Sequence, residues 1–236
     1  MMHLILLGDS TLHNDSYTYG GPSVTDHISA DLGERSAVTR LAQDGARMCD
    51  VVGQLEELPS TATHLVLSVG GNDALGHTHI LERDGPAITN VFGAMSDLTD
   101  ILDDFQDGYR RCLDRVLEHS LPTTICTIYN GAFQDPYEHR VVSTTARLFD
   151  DVIMQCAFDA GCSVIDLRRV CTDYADYYNP IEPGAEGGRK IASTILSVLR
   201  QKQSSTSFVY PSGAYPWLAN SPERLGLEVG MQRDYG

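Results

Sequence analysis

His3-Leu4-Ile5-Leu6-Leu7-Gly8-Asp9-Ser10 is the stretch on which the reading of this chain turns. An apolar run ends abruptly in Gly8-Asp9-Ser10, and a short apolar run closed by a glycine reads as a buried strand. In an open parallel α/β sheet, functional groups gather just past the carboxyl ends of the strands. Ser10 is therefore placed where a nucleophile is useful. Gly8 permits a tight turn, and Asp9 or Ser10 can cap the helix that should follow. Taken by themselves, these three residues fit a helix cap as well as a nucleophile.

Working outward, the same alternation recurs. Residues 11–33 are rich in Gly, Ser, Thr, Asp and His and read as a loop or broken helix beside the strand end. Residues 37–42 form a second, modest strand ending in Gln43-Asp44-Gly45. Met48, Val51, Val52, Leu55 and Leu58 lie at helical spacing before Pro59. His64-Leu65-Val66-Leu67-Ser68-Val69 is the clearest strand after the first and ends in Gly70-Gly71-Asn72-Asp73. Residues 74–91 show no stable period. Leu98, Ile101, Leu102, Phe105, Tyr109, Cys112, Leu113 and Val116 then form a long amphipathic stripe, interrupted by Gly108, which costs helix stability and invites a kink. Residues 123–129 make a fourth strand, 141–160 a helix with Gly161 as its stop, 163–167 a fifth strand, and 185–199 the last core helix. Strands alternating with helices imply βαβ units and a parallel sheet covered on both faces. The division expected is one domain over residues 1–202 and an irregular tail over 203–236.

The 236 residues carry a formal net charge of −15, with 42% hydrophobic residues. That length supports one full core. So acidic a surface argues against nucleic acid and anionic membrane as partners. With a strand starting almost at Met1, no leader is expected ahead of it, and no apolar run approaches the ~20 residues of a membrane span. The expectation is a soluble, cytoplasmic protein. The cysteines (49, 112, 126, 156, 162 and 171) form no CxxC pair and mostly sit in apolar segments, so they read as small buried hydrophobes and not as a disulfide framework or zinc site.

Gly8-Asp9-Ser10, Asp44-Gly45 and Gly70-Gly71-Asn72-Asp73 all end strands. A parallel sheet brings such ends to one edge, which would gather a hydroxyl, a glycine N–H and a carboxamide. Acyl transfer needs this set: a nucleophile, and donors aimed at the oxyanion. Here the sequence resembles the SGNH hydrolases, the GDSL esterases and lipases. Gly8-Asp9-Ser10-Thr11-Leu12 matches the first family block and Gly70-Gly71-Asn72-Asp73, after an apolar strand, the third. The resemblance covers roughly residues 3–200. It implies a three-layer α/β/α sandwich with a flavodoxin-like five-stranded parallel sheet, in agreement with the strands counted above. It also implies Ser10 as nucleophile, and an oxyanion hole from the Ser10 and Gly45 N–H groups and the Asn72 side chain. Asp9 reads as structural, bonding backbone near Ser10, and Asp73 as a possible supporting residue.

The departure is at the fifth block. The family pattern is Asp-x-x-His-Pro, and here the stretch is Asn179-Pro180-Ile181-Glu182-Pro183. No histidine follows His139. Histidine suits the base role because its pKa of ~6.5 lies near working pH, whereas a glutamate at ~4.3 is a poor base for a serine unless burial raises it. Three accounts stay open. Glu182 replaces histidine as base, oriented by Asn179 or Asp176. A histidine from elsewhere (His13, His77 or His79) reaches the site. Or the fold has become a binding module, with the tail as a docking segment. His77 and His79 alternate as a metal pair would, but in a loop that spacing is more often incidental. Gly187-Gly188 belongs to no Walker or dinucleotide pattern, so no nucleotide cofactor is expected, and none of any other kind. The reading adopted is a serine hydrolase that cleaves a short acyl or acetyl ester through an acyl-serine intermediate, acting on a small-molecule ester.

Overall fold

β1 (His3–Gly8) is apolar on both faces because it lies inside the molecule, with Leu4 to Leu7 fully buried. The computed structural model describes residues 1–33, 35–77, 91–200 and 209–210. β2 (Ala37–Arg40), β3 (His64–Ser68), β4 (Thr123–Cys126) and β5 (Ser163–Ile165) join β1 in one parallel sheet of order β2-β1-β3-β4-β5. This is the five-stranded α/β arrangement read from the sequence. The order reverses between β1 and β3, and in flavodoxin-like sheets ligands bind at that switch point. β6 (Tyr177–Asn179) and β7 (Glu182–Pro183) form a separate antiparallel hairpin. A short parallel strand, β8 (Val209–Tyr210), extends the sheet beside β5; it lies in the segment read as an irregular tail, the rest of which is outside the described residues.

Period-2 alternation sorts the strand side chains into two cores. Ile5, Leu7, Leu65, Leu67 and Ile125 point one way, Leu4, Leu6, Val66, Cys126 and Ile165 the other. The first set packs under α2 (Val51–Glu56), α4 (Val91–Leu117) and α5 (Pro136–Asp159). The second packs under α1 (Val24–Asp31) and α6 (Ala185–Arg200). Each fully buried Leu or Ile side chain contributes roughly 1.5–3 kcal/mol, so the three layers hold together mainly through these two cores. α1 starts on a capping box, Ser23 with Asp26, and α5 on Asp135 followed by Pro136.

Several elements differ from their sequence reading. Residues 71–75, expected to lack regular structure beyond the strand end, form α3 (Gly71–Leu75). α5 begins at Pro136, ahead of the apolar period at 141, because its first turn is polar and specified by the cap. α4 runs unbroken through Gly108; a Cβ there would stand 3.3 Å from the Met48 methyl, so the glycine makes room for Met48. All six cysteines are free and five of them are buried, Cys49 being exposed. Among the described residues no helix is long and apolar enough to cross a membrane.

Candidate functional site

The site begins with a close approach. Gly8 has φ 120°, and a Cβ on it would lie 1.7 Å from the Ser68 carbonyl oxygen. Only glycine fits where β1 runs so tightly against the end of β3. The turn beyond is tied on three sides. The Asp9 N–H donates to the Ser68 carbonyl (2.9 Å), and the Gln43 N–H donates to the Gly8 carbonyl (2.9 Å). The Gln54 side chain closes both ends of Gly8, accepting from its N–H (2.7 Å) and donating to its carbonyl (2.8 Å). Ser10, 6% exposed, is thereby held at the switch point.

Asp9 is 4% exposed and its Oδ1 accepts from the Thr11 N–H (3.1 Å). Burial pushes its pKa up to about 7, with the Glu182 and Asp73 charges adding to the rise. The Asp73 carboxyl accepts from the Met48 N–H (3.1 Å), pinning α3 to the segment before α2, and burial raises its pKa as well.

Glu182 arrives from β7 and is 8% exposed. Burial raises its pKa, a hydrogen bond from Ser10 pulls it down, and the Asp44 charge raises it again. Its Oε2 is buried without a hydrogen-bond donor, which adds to the cost of holding a charge there. Long-range contacts fix the hairpin. Asn14 Nδ2 donates to the Pro183 and Gly184 carbonyls (3.2 and 3.3 Å), the Tyr129 hydroxyl donates to the Ile181 carbonyl (2.6 Å), and the Ala132 N–H donates to the Pro180 carbonyl (2.8 Å). A Cβ on Gly187 would stand 2.2 Å from the Asp176 carbonyl oxygen, and one on Gly188 would stand 2.7 Å from Asn14 Nδ2. The glycine pair therefore lets α6 close against the hairpin.

Asn72, on α3, donates from Nδ2 to the Ala46 carbonyl (3.0 Å), which leaves the second N–H of that carboxamide for another acceptor. Gly45, next to Ala46, is exposed in a left-handed conformation (φ 76°). Ser10, Asn72 and Glu182 line one cavity of about 500 Å³, whose remaining wall is largely apolar and comes from α4, α5 and the segment after β4. Gly45 is not part of that wall.

The other candidates separate. Asn179 Oδ1 accepts from the Ile181 N–H (2.9 Å), closing the turn before Glu182. The Asp176 carboxylate, fully buried, pairs with Lys190 (2.7 Å) and accepts from the Asp173 N–H (3.0 Å). Neither side chain hydrogen-bonds to Glu182; Asn179 meets it only as its backbone partner across the hairpin, and both residues shape that hairpin. His77 lines the cavity. His13 Nδ1 accepts from the Asp44 N–H (3.1 Å), which turns it toward the loop after β2. His79 lies outside the described residues, and with it the His77/His79 pair.

Sequence reading missed Gln54 and Asn14. Gln54 carries a signal: it is polar on the buried face of a helix, one turn from Val51. Asn14 carries none, because the carbonyls its amide holds, those of Pro183 and Gly184, are some 170 residues away. A buried network behind the cavity wall was missed too. Asp150 accepts from the Ile128 N–H (2.7 Å) and faces Arg168, which in turn grips Asp166. Burial raises Asp150 to about 7, against the pull of Arg168.

A hydroxyl, a buried carboxylate and a carboxamide on one cavity are the groups from which a nucleophile, an acceptor for its proton and a donor for an oxyanion can be built. The family described as GDSL-like lipase/acylhydrolase matches residues 6–190. No curated protein matches the chain in sequence. Among solved structures, the chain is similar to an extracellular lipase from Streptomyces rimosus (16% identity, 84% of this chain and 99% of that one, TM-score 0.61). It is also similar to phospholipase A1 from Streptomyces albidoflavus (18%, 85% and 99%, 0.58). An acetyl-xylooligosaccharide esterase from Geobacillus stearmophilus is comparable (16%, 86% and 97%, 0.59). At these identities the likeness is one of fold.

Proposed function

Since the chain belongs to the GDSL-like lipase/acylhydrolase family and is a hydrolase acting on ester bonds, we propose that it cleaves carboxylic esters through an acyl-serine, with Ser10 as nucleophile and Glu182 as general base. The observation that carries this reading is that Ser10, Asn72 and the buried Glu182 line one cavity, with Ser10 close enough to Glu182 to lower its pKa against the effect of burial. Glu182 takes the Ser10 proton as the oxygen attacks the acyl carbonyl. The Ser10 N–H, the Gly45 N–H and the free N–H of Asn72 receive the oxyanion. Collapse expels the alcohol, which takes the proton back from Glu182, and water releases the acid by the same route in reverse. Burial moves the Glu182 pKa upward, the direction a base needs to match an alcohol proton. A cytoplasmic location belongs to the same proposal.

The test is hydrolysis of an aryl ester against pH. Ser10→Ala should abolish turnover, and Glu182→Gln should lower kcat/KM by about 10²–10⁴. Wild-type kcat/KM should rise with pH as Glu182 ionises, through an apparent pKa above the ordinary glutamate range. His77 shares the cavity, so it sets the competing outcome. Activity retained in Glu182→Gln and lost in His77→Gln would transfer the base role to His77.

A further inference from the structure

Resting on that reading of Ser10, the cavity says what kind of acid the ester carries. Its volume is about 500 Å³, inside the range of roughly 300–1,000 Å³ of sites that enclose whole small molecules. An acetyl group would leave most of it empty. Each methylene takes about the room of a water molecule, ~30 Å³, so the space has room for a chain of a dozen carbons or more. The wall beyond Ser10 is made by Leu98 and Ile101 of α4 facing Val142, Ala146 and Phe149 of α5. Apart from Asp9 and Glu182 at the Ser10 end, the one carboxylate among the described lining residues is Glu138, exposed on the first turn of α5.

The other flank of the Ser10–Glu182 pair is polar. Asp44, whose charge reaches Glu182, accepts from the Tyr17 hydroxyl (2.8 Å), and His13 holds the Asp44 backbone. None of these three lines the cavity. An ester astride the pair therefore has one apolar side and one polar side. Asn72, the carboxamide donor for the acyl oxygen, lines the cavity. An acyl group on Ser10 with its oxygen toward Asn72 therefore has its chain in the cavity that both residues line, and the alcohol leaves toward Asp44 and Tyr17.

We infer that the substrate's acid part is an aliphatic acyl chain of octanoyl to dodecanoyl length, laid between α4 and α5, with Ala146 setting the length accepted. Ala146 stands one turn from both Val142 and Phe149 and is the smallest of the α5 side chains in the wall, so bulk added there shortens the slot. The inference departs from the short acyl or acetyl ester expected from the sequence, because nothing in Gly8-Asp9-Ser10 reports the size of the space behind it.

The experiment is kcat/KM of the full chain on 4-nitrophenyl esters from acetyl to dodecanoyl, beside a series of alkyl acetates from methyl to octyl. Each methylene buried in the cavity should raise kcat/KM by up to about fourfold, giving an optimum at octanoyl or longer and little gain along the acetate series. Ala146→Phe, checked for folding by its melting curve, should move the optimum to shorter acids. An optimum at acetyl or butanoyl, a gain along the alcohol series instead, or an octanoyl-to-acetyl ratio unmoved in folded Ala146→Phe would overturn the inference. In each of those cases activity lost in Ser10→Ala would leave the hydrolase reading standing. Absence of Ser10-dependent turnover on every ester would overturn both.

Discussion

The two halves of the site are held by different means. The Ser10 turn is a continuation of the sheet, tied by backbone hydrogen bonds from Asp9 to Ser68 and from Gln43 to Gly8, with the Gln54 side chain as the bracket. The Glu182 hairpin lies outside the sheet and is docked by side chains from distant parts of the chain: Asn14, Tyr129 and the Lys190–Asp176 pair. Ser10, the proposed nucleophile, is thus placed by what stabilises the whole molecule, whereas Glu182, the proposed base, is placed by what stabilises one loop. Damage to the first should register as unfolding. Damage to the second should register as lost turnover in a protein that still folds.

The strongest way to break this contrast is Gly8→Ala. A methyl 1.7 Å from a carbonyl oxygen, on a residue with φ 120°, forces β1 and β3 apart. The cost should be at least about 3 kcal/mol. Against a total stability of roughly 5–15 kcal/mol, little soluble protein should accumulate, as solubility and a melting curve would show. A normal melt would refute the close approach.

Lys190→Met tests the other half. It strands the fully buried Asp176 carboxylate, whose Nζ partner is 2.7 Å away and only partly exposed. The loss should be about 3 kcal/mol, the low end for a buried pair because Lys190 is partly exposed. The hairpin also carries Glu182, so kcat should fall more steeply than the melting temperature alone implies. A proportionate fall in both would mean that the hairpin and the sheet unfold as one unit.

Gln54→Leu keeps the volume near α2 but leaves the buried Gly8 N–H without an acceptor. Urea unfolding should show a loss of about 2 kcal/mol. Because the glutamine braces the turn and touches no reacting atom, the pH profile of turnover should keep its midpoint.

A last test sharpens the comparison through pH. Asp9 has a folded pKa of about 7 against an unfolded value near 3.8, because burial disfavours its charge. The folded state therefore binds the extra proton. The stabilisation is fully present below about pH 4 and is lost as pH rises through about 7. Asp9→Asn retains an acceptor for the Thr11 N–H and removes the titration. The variant should match the wild type near pH 4 and exceed it at pH 8 by up to about 4 kcal/mol, read from unfolding at the two pH values. A gap that narrows as pH rises would reverse the assignment.

Much of this architecture could be read from local pattern. The run from Leu4 to Leu7 closed by Gly8, and the run from Leu65 to Val69 closed by Gly70, marked two strands whose ends had to carry Ser10 and Asn72. Period alone located α4, α5 and α6. α3 escaped because five residues are too few to show a period, and the first turn of α5 because its helix is specified by Asp135 and Pro136 before any apolar stripe begins. In the site, Glu182 was legible as the residue standing where the related pattern has histidine. Its supports were not: Asn179 and Asp176 are neighbours in sequence, yet their side chains turn to Ile181 and Lys190.

What the sequence by itself determined is whatever spacing encodes: an alternating α/β chain, a sheet buried on both faces, Ser10 and Asn72 at strand ends, and a carboxylate in place of an imidazole. What only the tertiary structure decided is whatever depends on which distant segments meet. The meeting of Ser10 and Glu182 on one cavity, the Gln54 bracket on Gly8, the upward pull of burial on Asp9 and Glu182, and the largely apolar wall from α4 and α5 all belong to that second group. The physical reason is that periodicity records which face of an element is buried, while desolvation, hydrogen-bond geometry and cavity shape are properties of the surroundings, and those exist only once the layers have packed.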